Sequence, residues 1–383
     1  MTSLTLEELA GRGHSVWAEI SLQALRHNVS ILREMAPQSE FMGVVKSYAY
    51  GHGNPTCARV MIEAGASRLG VARVAEAIHL RDAGIEVPIH VFSEPAPGAI
   101  PAMLDHGLTP TVYTVAFAGA LSEAAAERGQ RVPVHLKVDT GMNRVGVLVE
   151  EFPAKIGVFS QLQGLEIEGV WSHMAVADRP ADPFNQRQLD AFNSVVELVE
   201  KEGVQVRYRH IANSAATMAL PASHFDIVRC GVACYGLWPG MDLVGTADLR
   251  PVMRVKARVN MVKRVPAGDG VSYGLNYRLA KDARLITVGA GYADGYDRRL
   301  SGTGDIIFEG RRFKVSGTVC MDQFMVDIGD EPAESGSIVT LLGADGDERI
   351  AAEELAERIG TINYEVTSRL PSRVPRVFIE DEH

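Results

Sequence analysis

Apolar residues in the first two-thirds of the chain fall into short continuous runs separated by stretches of helical spacing. The runs are FMGVV (Phe41–Val45), LGVA (Leu69–Ala72), PIHVF (Pro88–Phe92), LTPTVY (Leu108–Tyr113), VHLKV (Val134–Val138), IEGVWSH (Ile167–His173), VRYRHIA (Val206–Ala212) and DIVRCG (Asp226–Gly231). Unbroken β-branched runs suit strands buried on both faces, as in parallel sheets. Between them, Leu22–Met35 and Gln186–Glu200 repeat their apolar residues at helical spacing, the second with Asp182 and Pro183 as a start signal. Alternating strands and helices predict an α/β protein. Eight strands predict a TIM-like (β/α)8 barrel rather than an open sheet.

After Trp238-Pro239-Gly240 the helical period fades. Short strand-like runs follow, among them VMRVKARVNMVKRV, RLITVGAG, DIIFEGRRFKVSGTV, FMVDIG and SIVTLLG, with turn residues such as Pro266-Ala267-Gly268-Asp269 between them. One helix, Ala351–Ile359, and a final RVPRVFI strand complete the pattern. The expected division is a barrel domain over 1–242 and a mostly-β domain over 243–383. A chain of 383 residues is long enough for two cores.

The net charge of −10, with no basic run longer than a pair such as Arg311-Arg312, argues against nucleic-acid binding. The N-terminal MTSLTLEELAGRGHSVW lacks the apolar core of a signal peptide. No apolar stretch approaches the ~20 residues of a membrane helix, so a cytoplasmic location is expected. Cys57, Cys230, Cys234 and Cys320 lack the paired spacing of a zinc site. No metal is expected, and reduced thiols fit the cytoplasm.

Chemistry in a (β/α)8 barrel sits at the C-terminal ends of the strands. VVKSYAYGHG (Val44–Gly53) puts Lys46 at such an end, where loss of hydration lowers an amine's pKa. Taken alone, a lysine there is more often solvated at the rim. The segment resembles the cofactor-lysine motif of alanine racemases. HLKVDTGMNRVG (His135–Gly146), WSHMAVAD (Trp171–Asp178), HIANSAA (His210–Ala216), VRCGVACYG (Val228–Gly236), VSYGLNY (Val271–Tyr277), GYADGY (Gly291–Tyr296), VCMDQ (Val319–Gln323) and INYEV (Ile362–Val366) resemble the same family in the same order.

The resemblance implies a pyridoxal 5'-phosphate enzyme that interconverts L- and D-alanine by a two-base mechanism and supplies D-alanine for peptidoglycan. Lys46 is implied to hold the cofactor through a Schiff base and to serve as one base; Tyr273 is implied as the other. Tyr50, Ser214, Gly231, Val232 and Tyr364 are implied around the phosphate and Asn213 among the cofactor-binding residues, although Asn213-Ser214 also reads as an ordinary helix cap. Arg229 is implied at the pyridine nitrogen. Because arginine only donates, that nitrogen would stay unprotonated. A weaker electron sink favours simple reprotonation over transamination. His173 is implied near Arg229 or the ring, or else is a satisfied core histidine.

Arg144 is implied to contact the substrate carboxylate or the cofactor phenolic oxygen, the Met321 N–H to hold the substrate carboxylate, and Lys137 to be carbamylated. Tyr273 and Met321 are implied to come from the second subunit of a homodimer. The sequence departs from the family's habit at Asn143, where glycine is usual, at Ser47-Tyr48, and at Cys230 and Cys234. Three alternatives stay open: a racemase of another small amino acid such as serine, a decarboxylase of the same fold class, and a non-catalytic cofactor-binding protein. Arg229 speaks against the decarboxylase, and the C-terminal β-domain against the carrier.

Overall fold

The computed structural model describes residues 6–381; the N-terminal segment read above is therefore described only from Leu6. All eight expected barrel strands form: Glu40–Val44, Arg68–Val71, Ile89–Val91, Thr109–Val112, Val132–Asp139, Leu165–Trp171, Tyr208–His210 and Ile227–Cys230. They run parallel in one sheet, with the last beside the first. The ring closes through Asp226 N–H to Arg209 O (3.0 Å) and Arg229 N–H to Ala212 O (3.2 Å). Nearly every residue of these strands is buried, as the unbroken apolar runs require.

The helix Leu22–Met35 forms over the expected span, and Ser21 caps it by accepting from Ala24 N–H at 3.1 Å. The second long helix spans Phe184–Lys201.

The C-terminal residues build the expected mostly-β region around the long strand Met253–Val265. Ile338–Asp345 and Ala283–Val288 pair with it antiparallel, and Phe324–Gly329 pairs with Ala283–Val288. The first half of the long strand alternates buried and half-buried residues, which marks a sheet with one face in the core.

The division at 242/243 leaves out one strand of this sheet. Val16–Ser21 pairs antiparallel with Met253–Val265 and parallel with Arg376–Ile379. Its partners lie more than two hundred residues downstream, beyond the reach of any local pattern. The first strand of the described residues thus lies in the second sheet, and the chain then crosses into the barrel and returns.

Buried Asn28 fastens the crossing. Its Nδ2 donates to Cys234 O (3.0 Å) and Arg250 O (2.8 Å), and its Oδ1 accepts from Arg250 N–H (2.8 Å). One contiguous apolar core runs through both regions. Among the described residues, no helix is long and apolar enough to cross a membrane.

Candidate active site

Lys46 follows the first barrel strand and opens a turn of unusual hand. Ser47, Tyr48, Ala49 and Tyr50 have φ of 53°, 55°, 55° and 52°. Left-handed backbone costs non-glycine residues roughly 1–2 kcal/mol each, so the surroundings must hold the turn. Ala49 N–H reaches Val45 O and Gly51 N–H reaches Ser47 O, both at 3.0 Å. Glu76 anchors the turn to the next strand's end: its carboxylate accepts from Ser47 N–H (2.6 Å), Ala72 N–H (2.9 Å) and Arg73 N–H (3.0 Å). From the other side, Arg376 Nε donates to Gly51 O at 2.8 Å. Burial lowers the pKa of Lys46, and the Arg144 and Arg229 cations add to the effect against an opposing Glu76.

Lys46 opens into a cavity of about 690 Å³, which Tyr50, Arg144, His173, Arg229 and Tyr364 also line. That volume suits a cofactor-sized ligand. Ser214, Asn213, Gly231 and Val232 line the same cavity. Asn213 caps the short helix after it by accepting from Ala216 N–H (3.0 Å), and Gly231 N–H donates to Ser214 Oγ (2.9 Å). Cap and cavity wall are thus the same residues. Burial raises the Tyr50 phenol, and it pushes Tyr364 up to about 12, with the Asp178 carboxylate adding to the effect.

Arg229 is buried and fully engaged on one side. Nη1 donates to His210 Nδ1 (3.0 Å). Nη2 donates to Ser172 O (3.0 Å), Ile211 O (3.1 Å) and His173 Nδ1 (2.9 Å). These bonds leave Nε for a group in the cavity. Burial pulls Arg229 down to about 9, which still keeps it protonated at neutral pH. His173 therefore supports Arg229 as an acceptor; burial and the arginine's charge hold it well below its ordinary value and neutral.

Lys137 is buried in its barrel strand, donates to Val138 O at 2.8 Å and lies 4.7 Å from the Trp171 ring centroid. Burial brings its pKa down to about 7. Asp139 shapes the following loop by accepting from Gly141, Asn143 and Arg144 N–H at 2.9–3.1 Å. Asn143 has φ of 55°, a conformation asparagine tolerates better than most residues, which accounts for its standing where glycine is usual.

Two family models match the chain: the alanine racemase N-terminal domain over residues 20–239 and the alanine racemase C-terminal domain over 252–378. The chain belongs to the alanine racemase family. The alanine racemase of Carboxydothermus hydrogenoformans is 42% identical over 366 residues, covering 95% of this chain and 99% of that protein. The structure of the alanine racemase from D-cycloserine-producing Streptomyces lavendulae superposes with a TM-score of 0.90 at 41% identity, covering 95% of this chain and 97% of that one. The Bartonella henselae alanine racemase with covalently bound pyridoxal phosphate has a TM-score of 0.86 at 26% identity, covering 95% and 99%.

Within one alanine racemase chain, the expected residues do not all converge. Lys46, Tyr50, Arg144, His173, Asn213, Ser214, Arg229, Gly231, Val232 and Tyr364 line the cavity. Tyr273 and Met321 do not; they are 75% and 54% exposed on the β-region. Thr318 Oγ1 donates to Tyr273 O at 2.9 Å, and Ala293 N–H donates to Met321 O at 3.0 Å, so both loops are anchored while their side chains face outward. Sequence reasoning missed Glu76, Ser172 and His210. Of these, His210 and Ser172 carried a signal, as the first residue of HIANSAA and the second of WSHMAVAD, and Glu76 lay in no motif.

Proposed function

We propose that this chain is an isomerase that racemises alanine, with pyridoxal phosphate as its resident cofactor. The observation that carries the reading is Arg229. It is clamped by four acceptors, keeps Nε for the cavity, and shares that cavity with Lys46, an amine of lowered pKa. The donor set fits the cofactor. An amine can hold its aldehyde carbon, a donor-only arginine can hold its ring nitrogen, and Tyr50, Ser214, Gly231 and Val232 can hold its phosphate. When bound, the cofactor draws electron density from the substrate Cα and weakens its C–H bond.

The chain's own residues move the protons. Lys46 Nζ removes the Cα proton of D-alanine from one face and returns a proton there in the reverse direction. Tyr273 Oη of a second copy does the same for L-alanine on the opposite face. Arg144 and the Met321 N–H of that second copy hold the carboxylate. The large exposure of Tyr273 and Met321 supports a shared site in a homodimer. Lys137 carries a carbamate: its neutral amine attacks carbon dioxide, an N–C bond forms and a proton leaves, giving an anion that pairs with Arg144. Its pKa near 7 supports this reading. D-alanine for cell-wall synthesis, made in the cytoplasm, is the corresponding role.

The test is chiral chromatography after incubating the pyridoxal-phosphate-loaded protein with a panel of L-amino acids. Alanine should racemise fastest and serine more slowly, since small differences in side chain discriminate by only ~1–3 kcal/mol. Absence of D-alanine would refute the reading, and release of carbon dioxide from L-alanine would favour a decarboxylase.

A further inference from the structure

The barrel holds a chain of polar side chains, two buried histidines ending on a half-buried glutamate, that the proposed proton transfers do not use. His210 Nε2 lies 2.7 Å from His135 Nδ1, and His135 Nε2 lies 3.0 Å from Glu168 Oε2. His210 Nδ1 in turn meets Arg229 Nη1 at 3.0 Å. Four barrel strands contribute one residue each: Val132–Asp139, Leu165–Trp171, Tyr208–His210 and Ile227–Cys230.

The two ends fix every donor between them. Arginine can only donate, so His210 Nδ1 must accept. Both histidines are held neutral by burial, His210 well below its ordinary value. A neutral imidazole carries one proton, so His210 Nε2 must donate and His135 Nδ1 must accept. His135 Nε2 then donates, and Glu168 accepts. Glu168 stays ionised because its bond from His135 and the nearby Arg68, at 3.8 Å, outweigh burial. The other end of Arg68 is bound to Glu40 at 2.9 Å. Reversing the chain would set two N–H groups against each other at Arg229.

The packing is built around this chain. A β-carbon at Gly169 would lie 2.7 Å from His135 Nδ1, so glycine gives the ring its room. Trp171 stacks on His210 with 7° between the planes, and neutral His90 sits edge-on to His135 and is bonded to Thr111 at 3.0 Å.

We propose that His135 and Glu168 are positioning residues that hold Arg229 as an oriented donor toward the cavity, by fixing the tautomer of His210. The importance of Arg229 rests on the function proposed above; the order of donors does not.

The test is ¹⁵N NMR of histidine-labelled holoenzyme, read beside kinetics. In the wild type, His210 and His135 should each show a protonated Nε2 and a bare Nδ1. His135→Leu leaves the buried His210 Nε2–H without an acceptor while Arg229 still donates to Nδ1, so the single His210 tautomer should give way to a mixture that includes the Nδ1–H form. Its kcat should fall about tenfold while KM for alanine stays within about twofold. His135→Asn keeps an acceptor carbonyl near the place of Nδ1 and should restore both the tautomer and most of kcat. Glu168→Gln, which keeps an acceptor oxygen and the side-chain volume, serves where His135→Leu fails to fold, and should loosen the tautomer of both histidines. A proton on His210 Nδ1 in the wild type overturns the proposal. So does a loss of kcat in these variants with no tautomer change, which would mark a purely structural role. A wild type that shows the expected tautomers but no racemisation would count against the proposed function and leave the donor order standing.

Discussion

A β-carbon at Gly231 would lie 2.5 Å from the hydroxyl of Tyr50, so the tyrosine reaches the proposed phosphate site only because residue 231 has no side chain. Tyr50 cannot retreat, because it packs on Tyr235 at 5.1 Å between ring centroids and is held by the left-handed turn. Gly231→Ala should therefore displace Tyr50 or tilt the Gly231 N–H off Ser214. Overpacking of this kind costs about 1–3 kcal/mol, which corresponds to weakening of pyridoxal phosphate binding by about tenfold or more. Absorbance titration of the stripped variant measures it; unchanged affinity would remove the phosphate from this place.

The buried histidines make an acid limit. Burial is the leading cause in holding His90, His173 and His210 well below 6.5, and it lowers His135 as well. In the unfolded chain they take up protons near the ordinary value. Below about pH 6.5 the unfolded state thus binds more protons, and stability falls as pH falls. Above that value their contribution is level. Urea titrations of the wild type at pH 7.5 and 5.5 should show a lower midpoint at the acid pH. His90→Asn should flatten part of that dependence, and an unchanged slope would mean that His90 is already charged in the fold.

The barrel was legible because strands buried on both faces leave continuous apolar runs, and all eight appeared where those runs lie. Val16–Ser21 was not assigned to its sheet because its pairing with Ala257 and its neighbours is set by topology rather than local pattern. Lys46 and Arg229 were legible through motifs that resemble a family, and they meet at one cavity. The His210–His135–Glu168 chain was not legible, because each member comes from a different strand and becomes a set only when the barrel closes. Asn143 looked like a departure until its φ of 55° showed what the position demands.

Lys137 gives a second pH signature of the same sign, set at a higher pH. Burial brings its amine down to about 7, against an ordinary lysine value of 10.5. Between those values the unfolded chain holds a proton that the folded chain has lost, so this residue makes stability rise with pH across the window. Below about 7 the folded chain keeps a buried charge and bears the full penalty. In buffer free of carbon dioxide, Lys137→Met should stabilise the protein at pH 7 and should lose most of that advantage by pH 10. Thermal melts at the two pH values decide it. Added bicarbonate should stabilise the wild type but not Lys137→Met; equal responses would argue against the carbamate.

Two inactive variants should repair each other if the site is shared. Lys46→Ala and Tyr273→Phe are each expected to lose about 10²–10⁴-fold in rate, the usual contribution of a positioned acid or base. In a two-fold symmetric dimer, each site takes Lys46 from one subunit and Tyr273 from the other. A hybrid of the two variants then has one site with both groups missing and one with both intact. After equal mixing under conditions that exchange subunits, half the dimers are hybrids with one working site of two, so activity should recover to about a quarter of the wild-type value. If both groups came from the same chain, every site in the mixture would lack one of them and activity would stay at the level of the separate variants. The exposed position of Tyr273, away from the cavity of its own chain, makes recovery the expected result.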